Sequence, residues 1–369
     1  MKISRIARVG AVAAVAALAL AGCAANEAPG ADTAGAATSD LSGEVAGGGA
    51  SSQEVAVQAW TAGFQTANPD VTITYDPSGS GAGRESFQAG AFPFAGSDRA
   101  FTVEEIEAGP FEACVDGSGV IELPTYISPI AVIFNIEGVD ALNLDAPTIA
   151  GLFAGTITNW NDPAIAALNE GVALPDLAVT PVHRADDSGT TENFTDYLYQ
   201  AAGDVWTSEP DGEWPLSSGE AAQGTSGVVS AVAAGNGAVG YADASRAAEE
   251  GLSTAAVKVG DEFVEYSPEA AAAIVDASPL EEGRGDGDLA IELQRTSDEA
   301  GVYPIVLVSY MIACQEYADA AVAPIVKSFL EYVASAEGQQ AAAAAAGNAP
   351  ISDALREQVN AAIELIVVE

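Results

Sequence analysis

The sequence predicts an α/β protein with two domains, and two observations support this prediction. Short apolar or β-branched runs alternate along the chain with segments whose apolar residues recur at helical spacing. The chain has 369 residues, 49% of them hydrophobic, which is enough material for two cores of ordinary size.

The individual elements follow from the period of their apolar residues. Apolar or β-branched runs predict strands at 71–75, 91–95, 126–136, 177–183, 237–241 and 303–313. Helical spacing or alanine content predicts helices at 146–153, 164–168, 228–234, 325–334, 340–346 and 351–365, the last capped by Ser352 or Asp353. The segment 282–288 is predicted to be an exposed turn.

The first 23 residues are predicted to be a secretion signal and not part of the fold. Basic residues at the start precede an apolar run, 12–20, that is too short to span a membrane. The run ends in Leu20-Ala21-Gly22-Cys23, which resembles the lipobox of bacterial lipoproteins, where the cysteine becomes the lipidated first residue. The alternative is a plain secretory signal in which Cys23 is incidental.

Residues 24–43 are mostly small or polar and show no apolar periodicity. Such a segment cannot bury enough surface to offset the entropy that it loses on ordering. We therefore expect a flexible tether that holds the folded part just outside the bacterial cell membrane. The N-terminal lipid would be the protein's only contact with the membrane.

The remaining cysteines are Cys114 and Cys314. In an oxidising compartment, two cysteines separated by a long loop are expected to form one disulfide, and the alternative is two buried free thiols. The sequence has no CxxC motif and no histidine-rich spacing typical of metal sites. Neither a metal nor a cofactor is expected.

The charge balance restricts the partners. The chain carries 53 acidic and 12 basic residues, and three of the basic ones lie in the predicted signal. The other 9 basic residues, set against 53 acidic ones, give the mature protein a formal charge of −44. Nucleic acid is excluded as a partner because its phosphate backbone demands the opposite charge. An anionic ligand would have to be attracted by arginine and oriented N–H groups at its site, against the repulsion of the protein's net negative charge.

The most informative segment is Arg184-Ala185-Asp186-Asp187-Ser188-Gly189-Thr190-Thr191. It combines hydroxyls and a glycine with an arginine, whose planar fork matches the oxygens of a tetrahedral anion. The apolar pattern that follows predicts a helix, so Ser188, Gly189 and Thr190 would lie at a helix N-terminus, which attracts anions. The alternative is an ordinary polar loop with an N-cap.

Three turns containing glycine and serine precede this segment, at 47–53, 75–83 and 95–98. Each lies where the end of a strand or helix could present N–H groups to a ligand. In the first turn, Ser51 and Glu54 also have the spacing of a capping box, so a simple helix cap is the alternative there.

Together these segments resemble the periplasmic phosphate-binding proteins of high-affinity phosphate ABC importers, over nearly all of 45–369. Further matching pieces are 157–163, 237–241 and the Tyr303-Pro-Ile that opens a long apolar strand. That family has a two-lobed periplasmic-binding-protein fold, in which two crossing hinge strands join α/β lobes around a ligand cleft.

The resemblance implies that the strands near Tyr126 and Tyr303 are the crossings. Antiparallel crossings would bring Cys114 and Cys314 together in one lobe, which favours their disulfide. The implied boundaries are 44–124 plus 311–369 for lobe I and 125–310 for lobe II.

The resemblance also implies a phosphate-binding site. Arg184 would make the charged contact, Asp186 would hold its guanidinium, and Asp98 would accept a hydrogen bond from the ligand. The family often has threonine followed by an aromatic residue where this chain has Ser51-Ser52. The implied hydroxyl and N–H contacts come from Ser51, Ser52, Ser80, Ser188, Gly189 and Thr190.

Asp98 has a specific expected role on physical grounds. A carboxylate repels an anion unless the anion brings a proton to share. Monohydrogen and dihydrogen phosphate carry such a proton, whereas sulfate at neutral pH does not. Asp98 would therefore accept a hydrogen bond from phosphate and form a buried repulsive pair with sulfate. The alternative role is a helix N-cap.

These features imply a monomer that binds inorganic phosphate outside the cytoplasmic membrane and delivers it to the permease subunits of an ABC importer. The alternatives are a binding protein for another oxyanion, such as sulfate or molybdate, and a phosphate sensor without transport. A secreted hydrolase is disfavoured because His183, the only histidine, directly precedes Arg184, and because no Gly-x-Ser-x-Gly motif occurs. No enzymatic activity is expected.

Overall fold

Strands and helices alternate over residues 41–368, the part of the chain that the computed structural model describes. The predicted signal, the lipidation site Cys23 and most of the predicted tether lie outside these residues. None of the helices described is long and apolar enough to cross a membrane.

The strands are β1 (Gly43–Gly49), β2 (Val71–Asp76), β3 (Phe94–Ser97), β4 (Val120–Asn135), β5 (Leu142–Leu144), β6 (Thr180–Arg184), β7 (Glu220–Ala222), β8 (Ala238–Asp243), β9 (Ser253–Val259), β10 (Glu262–Val264) and β11 (Val306–Cys314). The helices are α1 (Glu54–Ala67), α2 (Ser80–Gln88), α3 (Val103–Ala108), α4 (Ala146–Ala154), α5 (Pro163–Leu168), α6 (Gly189–Ala201), α7 (Gly224–Ala234), α8 (Ala244–Glu249), α9 (Pro268–Ala277), α10 (Ala323–Ala334), α11 (Ala336–Ala346) and α12 (Asp353–Ile363).

The sheet is built around two long antiparallel strands, β4 and β11. Its order is β2-β1-β3-β11-β4-β8-β6-β7, and β9 joins β4 and carries β5 and β10. The 16 residues of β4 serve both halves of the sheet, because 120–129 pair with β11 and 130–135 pair with β8. The two long strands predicted from sequence as the crossings are thus β4 and β11.

The predicted turns lie at the carboxyl ends of parallel strands. In one half of the sheet β1 pairs in parallel with β2 and β3, and the three glycine–serine turns begin at or near the ends of these strands. In the other half β6 is parallel to β7 and β8, and the predicted segment 184–191 begins at Arg184, the last residue of β6. The carboxyl ends of parallel strands meet at one edge of a sheet, which is where α/β proteins bind ligands.

The glycine run 47–49, predicted as part of a turn, instead ends a strand. β1 lies between β2 and β3, and its glycines allow the neighbouring elements to pack closely. A Cβ on Gly47 would lie 2.3 Å from the ring of Phe94, and one on Gly49 would lie 2.0 Å from the carbonyl oxygen of Gly96. The strand also begins at Gly43, the last residue assigned to the tether.

The segment 282–288, predicted to be an exposed turn, is partly docked against β4. The Arg284 side chain is buried and donates hydrogen bonds to the carboxylates of Glu281 and Asp288. Its NH1 also lies 3.8 Å from Oε2 of Glu122 on β4. Burial, and then the charge of Asp288, raises the pKa of Glu122 well above its usual range. The turn is therefore anchored by a buried group of charges.

Cys114 and Cys314 form a disulfide, with 5.3 Å between their Cα atoms. Cys314 is the last residue of β11, and Cys114 precedes β4, which pairs with β11 over this stretch. The predicted disulfide is confirmed, and the alternative of two free thiols is wrong for this structure. The bond links two segments that are 200 residues apart in sequence.

This bond predicts a simple thiol count. Denatured protein that lacks Cys23 is expected to show no free thiol before reduction and two after it, when titrated with an aromatic disulfide reagent. Two reactive thiols in unreduced protein from an oxidising compartment would contradict the pairing. Protein made in a reducing compartment is the control.

Candidate anion-binding site

Asp98, directly after β3, is the residue at which the four turns meet. Its side chain is buried, and its carboxylate accepts hydrogen bonds from Ser52 Oγ at 2.6 Å, Thr190 Oγ1 at 2.8 Å and Ser309 Oγ. Its backbone N–H donates to Ser80 Oγ at 3.1 Å. These contacts join the turn before α1, the starts of α2 and α6, and strand β11. Asp98 is not a helix N-cap, so that alternative is wrong.

Arg184 is the buried cation of the site. Its Nε donates to Oδ1 of Asp186 at 2.8 Å, and its NH2 donates to the other oxygen of the same carboxylate. Asp186 also accepts the N–H of Gly224 at 3.0 Å, which brings the start of α7 to the site. A guanidinium has five N–H donors, and this pair uses two of them. The guanidinium of Arg184 therefore retains N–H donors for an anion, while Asp186 fixes the orientation of the guanidinium.

Ser51 links the first turn to the start of α7. Its Oγ lies 3.0 Å from Oγ1 of Thr225 and accepts the N–H of Thr225 at 3.1 Å. The N-cap of α1 is Gln53, which makes no capping bond through its side chain. The capping-box alternative for Ser51 and Glu54 is therefore wrong, and the hydroxyl of Ser51 faces the other half of the sheet.

Ser188 and Gly189 form the start of α6. The hydroxyl of Ser188 is the N-cap of this helix and accepts the N–H of Thr191 at 3.2 Å, so the capping alternative is correct for its side chain. Gly189 packs against the opposite half of the sheet. A Cβ at this position would lie 2.7 Å from Cβ of Asp98 and 2.9 Å from Oγ of Ser80. Only glycine lets the first turn of α6 approach Asp98 this closely.

A second buried carboxylate, Asp243, lies at the end of β8. Tyr126 donates its hydroxyl to this carboxylate, 3.1 Å from each of the two oxygens, and the N–H of Ser245 donates at 3.0 Å. Burial raises the pKa of Asp243 to about 6, and the charge of Asp98 contributes in the same direction although hydrogen bonds from serine oppose it. The site therefore holds closely spaced negative charge that arginine and N–H donors must offset.

Two ion pairs join the two halves of the sheet on either side of this site. Arg99, next to Asp98, places its Nε 3.0 Å from Oε2 of Glu192 on α6. Arg246 on α8 places NH2 2.7 Å from Oε2 of Glu54, the first residue of α1. Their side chains are about one-fifth to one-quarter exposed, so both ion pairs are partly open to solvent.

All nine residues predicted for the site lie in this connected set of contacts. Sequence reasoning missed Thr225 and Ser309, which contact the predicted residues directly. The Gly-Thr-Ser that opens α7 resembles the other turns and could have indicated Thr225. Among residues 41–368, no cluster of His, Cys, Asp or Glu could hold a metal ion.

Comparison with known proteins identifies the family. The model of a PBP superfamily domain matches residues 27–337. The phosphate-binding protein PstS 3 of Mycobacterium leprae (strain TN) is 34% identical over 359 residues, which is 94% of this chain and 95% of the relative. The chain belongs to the PstS-type phosphate-binding proteins.

A second relative and a solved structure agree with this assignment. The PstS 3 protein of Mycobacterium tuberculosis (strain H37Rv) is 33% identical over 320 residues, covering 86% of this chain and 85% of the relative. The structure of PfluDING, a high-affinity periplasmic phosphate-binding protein bound with phosphate, matches with a TM-score of 0.68 at 23% identity, over 86% of this chain and 93% of that one. The PstS-type protein described here thus has the two-lobed periplasmic-binding-protein fold.

Proposed function

We propose that this protein binds inorganic phosphate outside the cytoplasmic membrane and delivers it to an ABC permease for uptake. The observation that carries the proposal is that the buried residues Arg184 and Asp98 lie in one connected set of contacts, which also joins the starts of α1, α2, α6 and α7. The names of its relatives, which are phosphate-binding proteins, support phosphate as the ligand. We further propose a monomer, anchored through a lipid on Cys23 and a flexible tether, with lobe I at 44–124 plus 311–369 and lobe II at 125–310.

Each part of the site has a role in this proposal. Arg184 supplies the charge-assisted contact to phosphate, and Asp186 keeps the guanidinium plane fixed. Asp98 accepts a hydrogen bond from the protonated oxygen of phosphate. The remaining phosphate oxygens are bound by hydroxyl and N–H donors, which belong to Ser51, Ser52, Ser80, Ser188, Gly189 and Thr190.

Titration calorimetry on protein without its first 23 residues tests the proposal. Phosphate is expected to bind with a dissociation constant of about 1 μM or tighter, which corresponds to about −8 kcal/mol. Arsenate has the same geometry and protonation and is expected to compete, whereas sulfate is expected to bind much more weakly. The absence of both heat and thermal stabilisation at millimolar phosphate would refute the proposed ligand.

Gly189→Ala is expected to weaken phosphate binding by about tenfold. The added methyl group would press on Asp98 and Ser80, and overpacking of this kind costs about 1–3 kcal/mol. Alanine favours a helix more than glycine does, so the loss would come from the contact between the lobes and not from α6 itself.

The matched control for this change is Gly285→Ala. A Cβ on Gly285 would meet no atom within 4 Å, so phosphate affinity is expected to stay within about twofold. Equal affinities of the two variants would show that α6 does not approach Asp98 in the phosphate-bound protein.

A further inference from the structure

A buried arginine, Arg295, lies in the long irregular segment between α9 and β11. Its guanidinium makes hydrogen bonds with two elements that frame the site. It donates to the carboxylate of Asp196 and to the side-chain oxygen of Asn193, both on α6, and to the carbonyl oxygen of Val306 at the start of β11, at 2.8 Å. Only 2% of the Arg295 side chain is exposed. Burying a guanidinium without hydrogen-bond partners costs free energy, and here each of the three nitrogen atoms of the Arg295 guanidinium donates a hydrogen bond.

Asn193 connects this arginine to the anion-binding site. Its Nδ2 donates to the backbone carbonyl of Asp98 at 2.7 Å and to that of Gly189 at 2.8 Å. An amide side chain presents an acceptor at one end and two donors at the other. Because Arg295 has only donors, it requires the amide oxygen to face it, and this leaves the NH2 group toward the two carbonyls. Arg295 thereby selects the orientation of Asn193.

This contact completes the fixation of Asp98. Hydroxyl groups hold its carboxylate, Ser80 accepts its N–H, and Asn193 holds its carbonyl. A carboxylate that distinguishes a protonated oxygen from a bare one must be placed within a fraction of an ångström. Among these contacts, the hydrogen bond from Asn193 is the one that links the backbone of Asp98 to α6, in the opposite half of the sheet.

We propose that Arg295 is a positioning residue for the anion-binding site, acting through Asn193 to hold Asp98 against the first turn of α6. Arg295 touches neither the carboxylate of Asp98 nor Arg184, so its effect on the ligand passes through the amide. The same guanidinium donates a hydrogen bond to the carbonyl of Val306, so Arg295 holds both the start of β11 and the first turns of α6. This inference rests on the proposed binding of phosphate.

A double-mutant cycle on phosphate affinity tests the inference. Asn193→Ala and Arg295→Gln are each expected to weaken phosphate binding by about tenfold. The double variant is also expected to lose about tenfold, since the arginine has no effect once its amide partner is gone. The phosphate-to-sulfate affinity ratio is expected to fall in all three variants, and a purely structural role would leave that ratio unchanged.

Arg284→Gln is the matched control. Arg284 lies in the same irregular segment, is similarly buried and is similarly paired with carboxylates, but its contacts are with Phe101, Glu122, Glu281 and Asp288. The Arg284→Gln substitution is expected to lower thermal stability while leaving the phosphate-to-sulfate affinity ratio within about twofold of that of the unaltered protein.

Three results would overturn the inference: losses that multiply to about a hundredfold in the double variant, an unchanged ratio in Asn193→Ala, or an equal fall in Arg284→Gln. Should Arg295→Gln fail to fold, the ratio in Asn193→Ala decides alone. Failure of the proposed function would be evident already in the unaltered protein, which would bind no phosphate.

Discussion

Arg184→Ala is expected to weaken phosphate binding by at least about a hundredfold, more than any hydroxyl substitution at the site. A charge-assisted hydrogen bond contributes about 1.5–3 kcal/mol, against about 1 kcal/mol for a neutral one. The substitution also leaves the carboxylate of Asp186 without its cation and next to the anion, which adds repulsion. Calorimetry on the purified variant measures the loss directly.

Two controls separate this local effect from others. Ser80→Ala removes one neutral hydroxyl and is expected to cost about tenfold or less. Arg356→Ala removes the same charge from α12, where the arginine pairs with the exposed Asp353, and is expected to leave affinity within about twofold. If Arg184→Ala bound phosphate as tightly as Ser80→Ala, Arg184 would not be the central cation.

Asp98→Asn is expected to reduce the phosphate-to-sulfate affinity ratio by about 10- to 100-fold, at about 1.4 kcal/mol per tenfold. The amide removes the repulsion between a carboxylate and an unprotonated anion and supplies a donor. Phosphate affinity itself is expected to fall only modestly, because the amide can pair with an ionised phosphate oxygen. Competition titrations with both anions on the same preparation give the ratio, which does not depend on the active fraction.

Asp187→Asn is the matched control for this charge change. Asp187 lies in the turn after Arg184, its side chain is 43% exposed, and its Oδ2 is 3.6 Å from NH2 of Arg84. The same substitution there is expected to leave the ratio within about twofold. An unchanged ratio in Asp98→Asn would mean that selectivity against sulfate arises elsewhere.

Elements with a clear apolar period were predictable from the sequence, and elements that depend on packing were not. The runs that became β4 and β11 were assigned as long strands because they are rich in apolar and β-branched residues, and in the structure nearly all of these residues are buried. β1 was missed because three glycines lower the strand propensity of its second half. Those glycines are required by the rings of Phe94 and Phe92 and the carbonyl of Gly96. Close contacts of this kind cannot be recognised from the sequence alone.

The site was predictable where its residues cluster in turns. Arg184 ends β6 and Asp98 directly follows β3, and binding residues occur disproportionately in the loops at such strand ends. Ser309 was missed because it lies within an apolar strand, where one serine resembles an ordinary core position. Asn193 was missed because the role proposed for it depends on Arg295, about a hundred residues further along the chain.

The enclosure of the site has a kinetic consequence. Ser52, Ser80, Asp98, Arg184 and Thr190 are each at most 3% exposed. We therefore expect a phosphate ion bound there, as proposed, to leave only when the two proposed lobes separate. Separation would break the ion pairs Arg99–Glu192 and Arg246–Glu54, which ionic strength screens. We therefore expect the residence time of the bound phosphate to depend on how often the lobes separate, and to become shorter as salt concentration rises, although salt alters no contact to the ion itself.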